Sequence, residues 1–193
     1  MSTFSPDQAL RELVAGNQRY FVAKAAHPRQ TLERRREVAH GQHPFAAILG
    51  CSDSRVPPEI LFDQGLGDLF VVRVAGNVVD DVVLGSLEYA VDHLAVPLVV
   101  VLGHGKCGAV TAAVSGGGAH GHVGSVLAAL RPAVERTAGR TGDAVQNAVR
   151  ANVDFGLERL RTASTLLAER ERAGTLKLAG ALYDVDTGTV TFW

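Results

Sequence analysis

The sequence predicts an α/β protein in which a mostly parallel central sheet is flanked by helices. Two short apolar runs, Phe45–Leu49 and Leu98–Leu102, show no polar alternation, and a glycine follows each of them. Runs of this kind are typical of strands that are covered on both faces. Between them, Asp80–His93 carries apolar residues at helical spacing, which predicts a helix.

The composition limits the class of protein. The chain has 193 residues, which suits one domain spanning residues 1–193, and a formal net charge of −1 with charged residues dispersed along it. This charge pattern does not indicate nucleic-acid binding. No apolar run is long enough to cross a membrane, and the N-terminus lacks a signal-peptide pattern. We therefore expect a cytoplasmic protein with no nucleic-acid or membrane partner.

Residues 1–40 are predicted to form an N-terminal helical arm. Ser5 to Asp7 supply a capping hydroxyl, a proline at the first helical position and an acid near the positive end of the helix. A second helix is predicted over Thr31–His40. Its charged run, Glu33–Glu37, is interpreted as a solvent-exposed face, and a contact between subunits is the alternative.

The rest of the chain supplies the remaining elements. A second strand is predicted at Leu69–Val72, and a single long helix over residues 142–172. Near the C-terminus, Leu176–Tyr183 and Thr189–Trp193 have the pattern of two strands joined by a turn. The glycine-rich stretch Ser115–His122 lacks the spacing of a phosphate-binding loop, so we interpret it as a flexible loop.

Both cysteines of the chain follow predicted strands. Cys51 comes directly after the glycine that ends the first strand, and Cys107 lies three residues after His104 at the end of the third. Two thiolates and one imidazole are ligands that Zn²⁺ prefers, and three protein ligands leave a fourth position free, as in catalytic zinc sites. The alternatives are two core cysteines beside an incidental histidine, or a disulfide between Cys51 and Cys107.

A shared metal ion would determine the order of the strands. Cys51 and His104 can bind one ion only if the first and third strands are neighbours or nearly so, because zinc–ligand distances are about 2.0–2.3 Å. With right-handed crossovers, the second strand then lies on the other side of the first, which predicts the order 2-1-3. This order creates a switch point between the first and third strands, where open α/β sheets bind their ligands.

Cys51-x-Asp53-Ser54-Arg55, followed further along the chain by His104-x-x-Cys107, resembles the signature of the β-class carbonic anhydrases. The similarity covers nearly the whole chain and is most specific over residues 42–110. It implies a mostly parallel sheet of order 2-1-3-4 with an antiparallel strand at one edge. The other segments that carry it are Ala15–Arg19, Ser52–Pro57, Phe70–Arg73, Glu88–Ala90 and Gly103–Gly108.

The resemblance implies one Zn²⁺ per chain, held by Cys51, His104 and Cys107, and an enzyme that interconverts CO₂ and bicarbonate. A zinc-bound hydroxide attacks CO₂, and the hydroxide is regenerated by loss of a proton. In the family, the aspartate that matches Asp53 accepts a hydrogen bond from this hydroxide while the arginine that matches Arg55 holds it. When released, the same aspartate becomes the fourth zinc ligand and closes the site. A structural ion pair is the alternative role for these two residues.

Three further residues match substrate-binding positions of the family. Gln42 matches a glutamine whose amide N–H binds an oxygen of CO₂ or bicarbonate. Phe70 and Tyr89 match residues that line the apolar CO₂ pocket, although both would also suit an ordinary core. The chain departs from the family nearby, where the common Arg-Asn-x-Ala-Asn is replaced by Arg73–Asn77, and this leaves the size of the pocket open.

The resemblance also implies a homodimer, or a pair of such dimers, because the family's N-terminal helices reach across a neighbouring subunit. Three other functions fit part of the pattern: hydrolysis of carbonyl sulfide or carbon disulfide at the same zinc, a sensor whose site stays closed, and a nucleotide-binding α/β protein. Gln42 and the intact Asp53–Arg55 pair argue against a sensor. Gly65–Gly67 is too short for a dinucleotide-binding loop.

One subgroup of the family closes its site when bicarbonate fills a separate pocket built from a tryptophan, an arginine and a tyrosine. Arg73 matches the arginine, but Ile48 occupies the tryptophan position, three residues before Cys51. Isoleucine has no N–H that could bind an anion. We therefore expect Asp53 to remain paired with Arg55 when bicarbonate is abundant.

Overall fold

The computed structural model describes residues 4–116 and 118–193, so Gly117 of the glycine-rich stretch lies outside the described residues. None of the helices in these ranges is long and apolar enough to cross a bilayer. The helices are α1 (Pro6–Phe21), α2 (Leu32–Glu37), α3 (Pro58–Leu61), α4 (Asp81–Asp92), α5 (Gly108–Val114), α6 (Val123–Glu135), α7 (Ala144–Ala163) and α8 (Thr165–Arg172), with short 3₁₀ turns at Val38–His40 and Ala75–Asn77. The strands are β1 (Ala46–Gly50), β2 (Leu69–Arg73), β3 (Leu98–His104), β4 (Lys177–Tyr183) and β5 (Val190–Phe192).

The five strands form one sheet in the order β2-β1-β3-β4-β5. β1 pairs in parallel with both β2 and β3, and β3 pairs in parallel with β4. β5 pairs antiparallel with β4 at the edge. The predicted order 2-1-3-4 and the antiparallel edge strand are therefore confirmed, and the switch point lies between β1 and β3.

The sheet separates two layers of core. β1 and β3 are buried along their whole length, as their apolar sequences predict. Successive side chains point to opposite faces, so Leu49 packs in the layer beneath α4, α7 and α8, whereas Ile48 packs in the layer beneath α1 and α3. Helices on both faces hold the carboxyl ends of β1 and β3 in fixed positions.

The N-terminal arm is attached to the sheet through α1. The predicted helix start is confirmed, because Ser5 forms a capping box with Gln8. Further along, Asn17 is the polar exception in the apolar face, and its side chain is buried. Its Nδ2 donates to the carbonyl oxygens of Leu61 and Gly188, each at 3.0 Å. This asparagine therefore joins α1 to both α3 and the β4–β5 turn.

The helix predicted over residues 142–172 is two helices in the structure, so this prediction was wrong. Ser164 interrupts it with an extended backbone (φ −118°, ψ 108°), and its hydroxyl accepts the Leu167 N–H at 3.1 Å. The same hydroxyl donates to Glu88 of α4 at 2.5 Å. The break thus depends on a tertiary partner far away in the sequence. The apolar pattern also failed to indicate α6, which contains Pro132.

Candidate metal centre

Two thiols and one imidazole converge at the carboxyl ends of β1 and β3. Cys51 follows β1 directly, His104 is the last residue of β3, and Cys107 directly precedes α5. One ligand atom from each residue lies within 4.8 Å of the other two, and all three side chains are buried. Because β1 and β3 are adjacent and parallel, their carboxyl ends meet at the switch point. The sheet itself therefore brings the three predicted ligands together.

The imidazole of His104 is oriented to offer one nitrogen to a cation. Its Nδ1 lies 2.9 Å from the carbonyl oxygen of Gly105, which can only accept, so Nδ1 carries the proton. Nε2 then holds a lone pair, and this buried atom has no hydrogen-bond partner among the described residues. A buried polar atom without a partner requires an explanation. A metal ion supplies one, and the donor set of two sulfurs and one nitrogen fits Zn²⁺.

The two thiols are free, which rules out the disulfide alternative in this structure. A hydrogen bond from Cys107 lowers the pKa of Cys51 to about 4, and together with the hydrogen bond from the Gly76 N–H it outweighs the opposing effect of burial. The hydrogen bond to Cys51, together with burial, raises the pKa of Cys107. Without a cation between the two sulfurs, repulsion by the Cys51 thiolate therefore keeps Cys107 protonated. A divalent ion would remove this repulsion and favour both thiolates.

Asp53 and Arg55 form a two-pronged ion pair beside the ligands. Arg55 Nε donates to Asp53 Oδ1 at 2.9 Å, and its Nη2 donates to Oδ2 at 2.8 Å. The pairing was predicted from an extended segment, but the backbone turns here, and the Arg55 N–H donates to Oδ1 at 3.0 Å. The Arg55 guanidinium holds the pKa of the Asp53 carboxyl well below its usual range. Asp53 is therefore a carboxylate held in one orientation two residues from Cys51.

Arg73 holds the backbone of the same turn. From the end of β2, its Nε donates to the carbonyl oxygen of Cys51 at 3.0 Å, and its Nη2 donates to that of Asp53 at 2.7 Å. Ile48, at the position where some relatives have tryptophan, is fully buried in the core beneath α1 and α3. The described residues therefore give Arg73 a role in shaping the turn.

The structure adds two residues that the sequence reasoning missed. The Gly76 N–H donates to Cys51 Sγ at 3.3 Å, and Asn152 Nδ2 donates to the Gly76 carbonyl oxygen at 2.8 Å. Gly76 has a φ of +70°, which glycine adopts without strain. Asn152 is buried on the apolar face of α7, and a polar residue in such a face is the signal that could have indicated it.

A single chain does not bring the predicted substrate residues to the metal ligands. Gln42 is exposed and precedes β1, whereas Cys51 follows the opposite end of that strand. Phe70 lies in β2 opposite Ala47, and its ring centroid is 6.2 Å from that of Tyr89 on α4. These two aromatic residues therefore form a pair of their own at the β2 edge of the sheet.

The fold and the site together define a class of protein. A donor set of two cysteines and one histidine is that of a transition-metal centre, and three protein ligands are typical of catalytic rather than structural sites. The centre lies where α/β sheets bind substrates, and an oriented carboxylate stands beside it. These features define a metal-dependent α/β enzyme.

Comparison with known proteins identifies the family. The carbonic anhydrase family profile matches residues 46–190. "Carbonic anhydrase 2" of Mycobacterium tuberculosis is 42% identical over 192 residues, which cover 97% of this chain and 93% of that protein. The β-carbonic anhydrase CafA of Aspergillus fumigatus has a TM-score of 0.78 at 33% identity. The match covers 95% of this chain and 90% of the CafA chain. A tetrameric β-carbonic anhydrase of Sordaria macrospora has a TM-score of 0.78 at 26% identity, with 95% of each chain covered.

The chain belongs to the β-class carbonic anhydrase family, a family of enzymes whose general reaction is the hydration of CO₂. This confirms the family that the Cys51–Arg55 and His104–Cys107 motifs predict.

Proposed function

We propose that the chain catalyses the reversible hydration of CO₂ to bicarbonate and a proton, with one Zn²⁺ per chain held by Cys51, His104 and Cys107. The observation that carries the proposal is that His104 keeps a buried, unpartnered Nε2 and offers a ring nitrogen within 4.8 Å of two free thiols. Bound zinc lowers the pKa of water, so that hydroxide is available as the nucleophile near neutrality.

Asp53 would orient the nucleophile, and Arg55 would orient Asp53. Asp53 Oδ1 accepts two N–H groups of Arg55, whereas Oδ2 accepts one and keeps acceptor capacity free. A carboxylate in this position accepts a hydrogen bond from the attacking group. That hydrogen bond directs a lone pair of the attacking group towards CO₂. If Arg55 released it, the same carboxylate would reach the metal as a fourth ligand and close the site.

A second copy of the chain would complete the substrate pocket. Gln42, Phe70 and Tyr89 match substrate positions of the family, yet they lie away from the ligands of their own chain. β2 pairs only with β1 in this sheet, and its apolar residues are half exposed, so this edge is suited to contact with another chain. The arm also exposes Val14 (48%) and Leu32 (64%). We therefore propose a homodimer, or a pair of dimers, in which the pocket residues of one chain serve the metal of the other.

The remaining parts of the proposal concern organisation and location. Residues 1–193 would form one domain, with residues 1–40 as the arm that contacts the second copy. Ligation through two reduced cysteines suits a reducing compartment, and we therefore place the enzyme in the cytoplasm.

The reaction is tested with zinc-loaded protein in a stopped-flow assay of CO₂ hydration, alongside metal analysis. We expect one zinc per chain, loss of activity when a chelator removes it, and recovery when zinc is returned. Parallel assays with carbonyl sulfide and carbon disulfide address the alternative substrates. Zinc-loaded protein that hydrolyses them but does not hydrate CO₂ would overturn the proposal.

Mixing two inactive variants tests whether one site uses two chains. Cys107→Ser removes a ligand, and Gln42→Ala removes an exposed side chain at the opposite end of β1. If the site combines chains, a mixed dimer holds one complete site, and activity returns when the variants are co-refolded. If each chain forms its own site, no complete site exists in the mixture, and activity stays absent.

A further inference from the structure

A cavity of about 260 Å³ lies between the turn that follows β2 and the helices α6 and α7. It shares Asn152 with the hydrogen-bond chain that reaches Cys51, so it lies behind the metal centre. None of the residues that we propose for CO₂ hydration lines it. The lining residues are Asn77, Val78, Val79, Ala129, Pro132, Asn152, Phe155, Gly156 and Arg159.

Two N–H donors of the lining residues lack acceptors. Asn77 is only 3% exposed, and its Nδ2 has no hydrogen-bond partner among the described residues; the same holds for the buried Nε of Arg159. The third such atom in the described ranges is His104 Nε2, whose partner would be the proposed metal ion. Buried donors are normally satisfied by protein, water or a ligand. Two of them at one cavity indicate that an acceptor belongs there.

The charges around the cavity favour an anion. Arg159 carries the only formal charge among the lining residues, and within the described part of the chain it makes no ion pair. The acidic neighbours on α7 are engaged elsewhere: Glu158 accepts from Arg136 at 2.6 Å, and Asp154 accepts from Trp193 at 2.8 Å. An anion that entered would therefore meet positive charge and N–H donors without a competing carboxylate.

The rest of the lining is apolar and limits the size of the ligand. Valine, alanine, proline and phenylalanine side chains form most of the wall. A volume of this size accommodates roughly four to eight non-hydrogen atoms, given that a water molecule occupies about 30 Å³. Small-molecule sites commonly combine an apolar wall with a few directed polar groups.

We propose that this cavity binds a small monocarboxylate. The carboxylate would accept hydrogen bonds from Asn77 Nδ2 and from the Arg159 guanidinium, and the short alkyl group would contact Val78, Ala129 and Phe155. Charge-assisted hydrogen bonds of this kind are stronger than neutral ones, which makes the anion, rather than a neutral amide of the same shape, the preferred ligand. The proposal does not depend on which reaction the metal centre catalyses.

Propionate is the probe, and propionamide is its neutral control of the same shape. Each is titrated into zinc-loaded, ¹⁵N-labelled protein at constant ionic strength, and the side-chain N–H signals of Asn77, Asn152 and Arg159 are followed by NMR. We expect saturable shifts of these signals with propionate and none with propionamide. Arg159→Gln should weaken binding at least ~10-fold, and Arg159→Lys should retain part of it.

Arg150→Gln is the matched control, because Arg150 lies on the same helix but stacks on Trp193 away from the cavity. This variant should bind propionate like the wild type. Thermal melts verify that each variant is folded. If Arg159→Gln does not fold, the comparison with Arg159→Lys still tests the proposal. Propionate that binds only at the metal would shift His104 signals equally in the wild type and in Arg159→Gln. That result, or an absence of saturable shifts up to tens of millimolar, would assign the cavity to water and overturn the proposal.

Discussion

Two aspartate–arginine pairs in this protein have similar contacts but different surroundings. Asp63 accepts Arg19 Nε at 2.5 Å and the N–H groups of Ala26 and His27 at 2.9 Å each, and its side chain is only 1% exposed. Helix α1, the following loop at Ala26 and His27, and the segment after α3 thus meet at one carboxylate. Every contact is made across a long sequence separation, so the pair exists only in the folded chain.

Asp53 and Arg55, in contrast, are two residues apart and partly exposed, at 17% and 52%. A local pair of this kind contributes little to stability, because it can form in the unfolded chain and is screened by water. The difference teaches that the two carboxylates have different tasks. Asp63 holds the N-terminal arm against the α3 region, whereas our proposed function gives Asp53 the task of orienting the nucleophile at the metal centre.

The proposed task of Asp53 requires a metal ion at Cys51, His104 and Cys107. We expect Cys107→Ser to lose most of its zinc and to reduce CO₂ hydration at least ~100-fold, because a serine hydroxyl is not ionised near neutrality and binds zinc weakly. Metal analysis and stopped-flow assays measure both effects. Ser52→Ala, a change of an exposed hydroxyl beside Cys51, is the control and should leave both unchanged. Full zinc occupancy with normal turnover in Cys107→Ser would remove the basis of the comparison.

Asp53→Asn should reduce CO₂ hydration about 100-fold while zinc content stays the same. The amide keeps the shape of the side chain but cannot pair with Arg55 as a charge, and it is a weaker acceptor. Because the pair is exposed, Tm should shift by no more than about 3 °C. Asp186→Asn is the control, since Asp186 pairs with Lys106 nearby and is mostly exposed. Undiminished turnover in Asp53→Asn would make this pair as purely structural as Asp63–Arg19.

Asp63→Asn should show the opposite pattern. Loss of the buried negative charge weakens three hydrogen bonds and removes the carboxylate closest to Arg19, which should cost about 2–4 kcal/mol of the free energy of unfolding. Urea unfolding of the zinc-loaded protein measures this effect. Turnover per zinc below the melting range should remain near that of the wild type. A variant as stable as the wild type would show that the arm does not depend on this carboxylate.

The stability difference between wild type and Asp63→Asn should itself depend on pH. Burial raises the pKa of Asp63, but hydrogen bonds from Arg19, Ala26 and His27 outweigh it, so the pKa in the folded protein is lowered. The unfolded chain therefore takes up the proton first as pH falls below about 4. The contribution of Asp63 is complete above that pH and is lost as pH falls through the lowered pKa. Urea midpoints of the two proteins should converge at acid pH, and a constant gap would contradict the assignment.

The last prediction is that bicarbonate leaves the Asp53–Arg55 pair unchanged. Bicarbonate should not release Asp53 from Arg55, because Ile48 is buried where the regulated relatives have tryptophan and Arg73 is bonded to the backbone of the turn. A crystal structure at high bicarbonate and a pH near 8 should retain the pair, and inhibition by bicarbonate should be hyperbolic. Asp53 bound to zinc under these conditions, or sigmoidal inhibition, would refute this prediction.

Several elements could be predicted from the sequence because their signals are local. Uninterrupted apolar runs indicate β1 and β3, and the strand order follows once Cys51 and His104 are required to share an ion. The break at Ser164 could not be predicted, because its hydroxyl is bonded to Glu88, which is 76 residues away. Helical periodicity continues through the break, and it does not distinguish the cap that Ser164 forms with the Leu167 N–H from one more helical turn.

The sequence by itself determined the fold class, the family and the candidate ligands, because each depends on residue type and short-range spacing. Only the tertiary structure decided which polar atoms remain without partners. His104 Nε2, Asn77 Nδ2 and Arg159 Nε have no hydrogen-bond partner among the described residues, whereas Asp63 is fully bonded. Whether a buried polar atom finds a hydrogen-bond partner depends on groups that are distant in the sequence. These groups meet only when the sheet and helices pack. For the same reason, only the structure separates Gln42, Phe70 and Tyr89 from the ligands of their own chain.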